Sequence, residues 1–286
     1  MPTNLQELHD AGVHLGHQLR RFNPRSKKFV YDHRQGISII DLEKTLSQLN
    51  KSCDFIRNTV AHGKKVLLVG TKDEAKEVIK EIAVATGMPY AVSRWIGGTL
   101  TNYQTISASV KKYKKHMAMD ADGSLDKLPN KEAAAIRREM TRQSRYFEGL
   151  LELTQMPGAV FIVDVKEEST AVAEAKVMRL PIVAIVDTNS DPSGIPFAIP
   201  GNDDALKSVR LLCQQVREAI EKGLEEKALR KVEKTDVESE QVQAEEPQRG
   251  FRPAGRPGQR PGGNFNRGPR RGGDDNERRD HTPIKI

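Results

Sequence analysis

The sequence predicts an α/β protein built on a doubly wound parallel sheet. KVLLVG (65–70), AVFIVD (159–164) and PIVAIVD (181–187) are short apolar runs rich in β-branched residues. None alternates with polar residues, which is the pattern of strands covered on both faces. Helical periodicities separate them, and strand, helix, strand in succession calls for right-handed crossovers between parallel neighbours.

PYAVS (89–93) and PFAIPG (196–201) are weaker strand candidates. The helical stretches are DEAKEVIKEIAVATG (73–87), EESTAVAEAKVMRL (167–180) and DDALKSVRLLCQQVREAIEKG (203–223). The first and last begin with acidic residues and are expected to stop at Gly87 and Gly223.

From Thr99 to Leu153 no strand pattern occurs, and Ile106, Val110, Tyr113 and Met117 recur at spacings of four, three and four. After the turn-rich DADGSLDKLPN, Asn130 can cap a second helix whose seam is Ile136, Met140, Phe147 and Leu150. Two long helices with narrow apolar stripes read as an antiparallel coiled-coil hairpin inserted into the core. Two ordinary core-packed helices are the alternative. Beyond about Lys227 the periodicity fades into an acidic linker, then an Arg, Gly and Pro-rich tail that buries too little to offset chain entropy. The expected division is an α/β core over 1–98 and 154–226 with a basic N-terminal segment, the hairpin over 99–153, and a disordered linker and tail over 227–286.

The 286 residues are 37% hydrophobic, enough for a packed core, and carry a formal net charge of +7 with a pI near 9.3. Residues 249–286 hold ten Arg and Lys against four Asp and Glu, so most of the excess lies in the tail. A body so nearly balanced needs a local basic patch to bind a polyanion. Cys53 and Cys213 form neither a CxxC pair nor a disulfide framework, which fits a reducing, cytoplasmic setting. No apolar run is long enough for a membrane span, and the N-terminus lacks the apolar stretch of an export signal.

The turn after the first strand, VGTKDEAKE, has neither GxGxxG nor GxxxxGK[ST]. Asp73 and Glu74 put negative charge where a phosphate would meet the helix end, so a nucleotide-binding enzyme on this core is disfavoured. His14 and His17 stand three apart with His9 a turn away, but no HExxH, cysteine cluster or GxSxG accompanies them. Packing or hydrogen-bonding roles are preferred for them. Asp187, Asp191, Asp203 and Asp204 can converge at the carboxyl edge of the sheet around a structural divalent cation. The preferred alternative gives Asn202 and Asp203 to helix capping and Asp191 to the Asp-Pro turn.

AGVHLGHQLRRFNPRSKKFVYDHR (11–34) places Arg20, Arg21, Arg25, Lys27, Lys28 and Arg34 around Phe22, Phe29 and Tyr31, with Asp32 the only acidic residue from 14 to 34. Asn23-Pro24 breaks any continuous helix. Guanidinium groups grip phosphates and aromatics stack on unpaired bases, so an irregular basic loop suits folded RNA. The alternative is a solvated loop whose aromatics enter the core. SRWIGGTLTNY (93–103) repeats the theme: Arg94 and Trp95 precede Gly97-Gly98, where a partner can approach closely, and Thr99 or Thr101 can cap the next helix.

AGVHLGHQLRRFNPRSKKFVYDHRQGISIIDLEKT (11–45), LLVGTKDEA (67–75), RWIGGTLTNY (94–103), AVFIVD (159–164) and LPIVAIVDTNSDPSGIPFAIPGNDDA (180–205) occur in order over about residues 4–225. Together they resemble the bacterial small-subunit ribosomal protein two family. The resemblance implies a flavodoxin-like strand order, a protruding coiled-coil hairpin and a non-enzymatic role. That role is binding 16S ribosomal RNA at the junction of head and body and helping to recruit ribosomal protein one, the messenger-binding protein. Neighbouring small-subunit proteins are further implied partners, with no membrane, no small-molecule substrate and no self-assembly. The family's basic motif falls on Arg20, Arg21, Asn23, Pro24, Arg25, Lys27 and Lys28, and its second motif on Arg94, Trp95, Gly97, Gly98, Thr99 and Asn102. Ser26 stands where the family usually has Met, and the Arg-Gly-Pro tail lies outside its pattern. An RNA chaperone or regulator acting through that tail is a separate reading of the same chain.

Overall fold

The computed structural model describes residues 4–244, with side-chain surroundings for residues 4–230. Helix α1 (Leu5–Asp10) is followed by three short strands, β1 (Leu15–Gln18), β2 (Val30–Arg34) and β3 (Ile37–Ile40). Then come α2 (Leu42–Ala61), β4 (Val66–Val69), α3 (Asp73–Thr86), β5 (Tyr90–Ala91), α4 (Tyr103–Ala121) and α5 (Asn130–Phe147). The order closes with β6 (Ala159–Val163), α6 (Ser169–Val177), β7 (Ile182–Val186), β8 (Phe197–Pro200) and α7 (Leu206–Ala244).

Strands β4 to β8 form a parallel sheet in the order β5-β4-β6-β7-β8. Counted along the chain this is 2-1-3-4-5, the flavodoxin-like doubly wound order, and its direction reverses between β4 and β6. The three apolar runs are its central strands, and every residue of β4, β6 and β7 is buried. Alternate residues serve opposite layers. Leu68, Phe161, Val183 and Ile185 join Leu49, Ile56, Val209 and Leu212 of α2 and α7. Leu67, Val160, Ile162 and Ala184 join Ala171 and Val172 of α6 and the near ends of α4 and α5. Each such aliphatic side chain contributes roughly 1.5–3 kcal/mol when removed from water.

Helices α4 and α5 lie antiparallel: Tyr113 meets Phe147 with ring centroids 6.1 Å apart, while Arg137 reaches Asp120 near the far end. Val110, Tyr113, Phe147 and Leu150 root the pair in the core, whereas Met117 is exposed. Two expected caps are not formed. Pro129, not Asn130, is the residue preceding α5, and Thr99 and Thr101 turn inward instead of capping α4.

Three further differences have physical causes. The N-terminal segment contains an antiparallel sheet in the order β1-β3-β2, with Gln35 and Gly36 both at positive φ in a two-residue hairpin turn. Gly223 does not end α7; an added Cβ there would lie 2.7 Å from the Arg57 carbonyl oxygen and 2.8 Å from Val60 Cβ, so the glycine lets α7 cross close against α2. Residues 227–244, expected to lack fixed structure, continue α7 as helix, because Glu, Lys, Ala and Arg sustain a helix without an apolar stripe. The remainder of the expected tail, 245–286, lies outside the described residues.

Candidate nucleic-acid interface

The basic segment is not one loop but two 3-10 turns, Leu19–Arg21 and Pro24–Phe29, carried between β1 and β2. Proline at the first position fits the second turn, and the Asn23 side chain accepts from the Arg25 N–H at 3.0 Å. The segment is pinned to the loop after β7. Asn23 N–H donates to Thr188 O (2.8 Å), the His17 N–H to Thr188 Oγ1 (2.9 Å), and Ser26 Oγ to Ser190 O (2.6 Å). A Cβ on Gly16 would sit 2.6 Å from Thr188 Cγ2, so glycine is what allows this approach. Ser26 is buried here, with its hydroxyl satisfied by the Ser190 carbonyl.

This docking turns the cations outward. Arg20, Arg21, Arg25, Lys27, Lys28 and Arg34 are all exposed. Arg25 pairs with Asp191, and Arg34 with Asp32 at 3.2 Å; among the described residues Arg20, Lys27 and Lys28 have no carboxylate partner, and Arg21 acts on Asp204 only from beyond ion-pairing distance. Surface pairs of this kind are worth little, so the face stays positive. The aromatics divide. Phe29 is in the core, Phe22 is half-buried edge-on to His33 (5.3 Å), and Tyr31 is 73% exposed.

In the second motif Arg94, Gly97 and Asn102 are exposed and Gly98, at φ 90°, is half-buried, but Trp95 and Thr99 lie inside. The buried carboxylate of Glu174 organises this loop. Its Oε1 accepts from Trp95 Nε1 (2.9 Å) and Gly98 N–H (2.8 Å), and its Oε2 from Leu100 N–H (3.0 Å), Thr101 N–H (3.1 Å) and Thr101 Oγ1 (3.1 Å). Burial alone would push the pKa of Glu174 up, but the donors from Trp95, Gly98, Thr101 and Leu100 overcome it and hold the group below the ordinary glutamate value. Trp95 therefore shapes the loop and offers no face to a partner. Both motifs send an aromatic, Phe29 and Trp95, into the same core layer.

The carboxyl edge of the sheet carries a polar cluster. His17 Nδ1 lies 3.0 Å from Asp187 Oδ2 and its Nε2 3.2 Å from Asp204 Oδ2. Lys72 Nζ pairs with Asp203 (2.8 Å), with Asp204, and more distantly with Asp164 (3.6 Å). Burial and the Asp164 and Asp187 carboxylates push Asp203 up to about 7 against the pull of Lys72. The neighbouring Asp187 carboxylate raises His17 above the usual imidazole value despite its burial. His17, Asp187 and Asp203 each offer a ligand atom within 4.8 Å of the others, and Asp203 Oδ2 has no hydrogen-bond donor. Of the four aspartates expected there, Asp191 is elsewhere: it accepts the Ser193 N–H (2.9 Å) and faces Arg25. The expected helix capping by Asn202 and Asp203 is not formed: α7 starts at Leu206, and Asn202 Oδ1 instead accepts from the Asp204 N–H (2.9 Å) and Ala205 N–H (3.2 Å) in the turn before it. Lys72, Asp164 and Glu174 went unnoticed in the sequence, and the hydrogen-bonding role preferred for His17 had no named partner, because the groups that meet lie far apart along the chain.

At the reversal between β4 and β6, where doubly wound folds seat phosphates, Glu168 Oε1 accepts the Thr71 N–H at 2.8 Å. A carboxylate thus fills the anion position at the start of α3, and Lys72 is turned into the aspartate cluster.

The sequence model for "Ribosomal protein S2" matches residues 8–223. The chain belongs to this family. Its relatives include the "Small ribosomal subunit protein uS2" of Opitutus terrae, 52% identical over 231 residues that cover 81% of this chain and 76% of the relative. The protein of the same name from Campylobacter fetus is 45% identical over 84% of this chain and 91% of its own length, and that from Coprothermobacter proteolyticus 44% identical over 78% and 83%. These are names of ribosomal constituents and not of enzymes. The match spans both basic motifs and the polar cluster, and no helix among the described residues is long and apolar enough to cross a membrane.

Proposed function

We propose that this chain is a structural constituent of the small ribosomal subunit in the cytoplasm, holding 16S ribosomal RNA at the junction of head and body. The observation that carries this reading is the outward cationic face of Arg20, Arg21, Lys27 and Lys28, braced from behind by Thr188 and Ser190. Arg94, Gly97, Gly98 and Asn102 extend the contact. Clustered cations gain affinity by releasing counterions from phosphates, and a rigid turn fixes register on folded RNA. The α4–α5 pair serves as a coiled-coil arm. Recruitment of ribosomal protein one belongs to the same reading.

His17, Asp187 and Asp203 suit a structural divalent cation. One imidazole nitrogen with carboxylate oxygens is a zinc-type donor set, and the ion would take the place of the imidazole proton while Lys72 continues to neutralise Asp204. Its contribution would be to tie β1 to the ends of β7 and β8.

The test is sedimentation of the native protein through salt-stepped gradients. Co-migration with small subunits is expected, and joint replacement of Arg20, Arg21 and Arg25 by Ala should abolish it with the circular dichroism unchanged. Retained co-migration in that variant overturns the reading. Loss on truncation at Gly250 would favour a chaperone acting through the tail.

A further inference from the structure

Helix α5 carries Arg138, Arg142 and Arg145 at i, i+4 and i+7, so the three side chains share one face. They line a furrow of about 410 Å³ with Thr141 and Tyr146. A second recess of about 240 Å³, lined by Lys80, Tyr90 and Arg94 at the sheet edge, shares Arg145 and Tyr146 with the first, so the two are neighbours. On the same helix pair Arg137 pairs with Asp126 (2.6 Å) and Lys112 with Glu139 (3.3 Å). Among the described residues Arg94, Arg138, Arg142 and Arg145 have no carboxylate within ion-pairing distance, and Glu148 at the recess is taken by Lys80 at 3.2 Å. Like charges at i, i+4 destabilise an isolated helix. Three arginines held on one helix face without an ion pair therefore point to an anionic partner.

We propose that this track, from Arg94 along Arg145 and Arg142 to Arg138, is a second RNA-contact surface, separate from the N-terminal turns, that takes the sugar-phosphate backbone of a non-helical RNA segment. The planar guanidinium groups grip successive phosphates bidentately. The recess beside the half-buried Tyr146 and the exposed Arg94 and Arg145 accepts an unstacked base, since looped RNA is read by stacking on aromatic and guanidinium planes. The inference rests on the ribosomal reading given above and assigns it a further site.

The experiment measures full-length protein binding to a 16S ribosomal RNA transcript across a salt series. Replacing Arg138, Arg142 and Arg145 together by Gln should lower the slope of log affinity against log salt by about 2, at roughly 0.7 for each phosphate no longer neutralised. The matching Lys variant should keep the slope and lose affinity only modestly. A second arm places an iron chelate on Thr141→Cys. Native Cys213 is buried, and the half-buried Cys53 is removed by Cys53→Ser in this arm, so that only position 141 is labelled. Radical scission of the RNA backbone at a confined stretch is expected. An unchanged slope in the Gln variant, or no scission while the protein stays bound, overturns the proposal, as does a partner found to be an acidic protein. If the Arg20, Arg21 and Arg25 variant loses binding and the α5 variant does not, this inference falls and the ribosomal reading stands.

Discussion

The indole N–H of Trp95 donates to the Glu174 carboxylate across 2.9 Å, joining positions 79 residues apart and setting the shape of the Gly97-Gly98 loop. Five donors converge on that one side chain. Glu174→Gln substitutes an amide that faces some of these donors with its own N–H groups. Leaving buried donors unmet costs about 1–3 kcal/mol each, so a loss on the order of 3 kcal/mol in urea unfolding is expected. The sole tryptophan makes the change visible by fluorescence.

The same carboxylate sets a pH dependence. Its folded value lies below its unfolded one, so its contribution is fully present above the ordinary glutamate range and disappears as pH falls through the lowered folded value. Acid titration followed at Trp95 should show a transition below the ordinary glutamate range that is weakened in Glu174→Gln. Identical acid curves for the two proteins would remove Glu174 from this role.

Gly223→Ala ought to stabilise a helix by up to about 1 kcal/mol on intrinsic propensity. Here the methyl meets the Arg57 carbonyl oxygen at 2.7 Å. Overpacking costs about 1–3 kcal/mol, so a net loss of about 1–2 kcal/mol is expected from the urea midpoint. A gain would mean that α2 and α7 separate freely.

Zinc should raise the melting temperature of the metal-stripped protein, since a ligand at a hundredfold excess over its Kd adds about 2.7 kcal/mol. Asp187→Asn should abolish the rise and Asp191→Asn should leave it, because Asp191 faces Arg25 and lies outside the cluster. Equal rises in both variants would place the ion elsewhere.

The parallel sheet was legible because non-alternating runs such as AVFIVD have one physical meaning in a soluble chain: both faces are covered. The Gly87 stop and the buried Val110, Tyr113, Phe147 and Leu150 were legible for similar local reasons, whereas Met117, expected in the same seam, is exposed. Gly223 was misread because a glycine marks either a helix end or a close crossing, and only the packed neighbour distinguishes them. The small N-terminal sheet was missed because the charges of VYDHRQGIS masked its alternation.

By itself the sequence determined the doubly wound core and the presence of a cationic segment, since periodicity and charge density are properties of neighbouring residues. Tertiary structure alone decided which of those residues face outward. It turned Trp95 inward onto Glu174, left Arg20, Arg21, Lys27 and Lys28 outside any ion pair, and gathered His17 with Asp187 and Asp203. Hydrogen bonds and ion pairs act over a few ångströms in space and are indifferent to separation along the chain, so no local pattern records them.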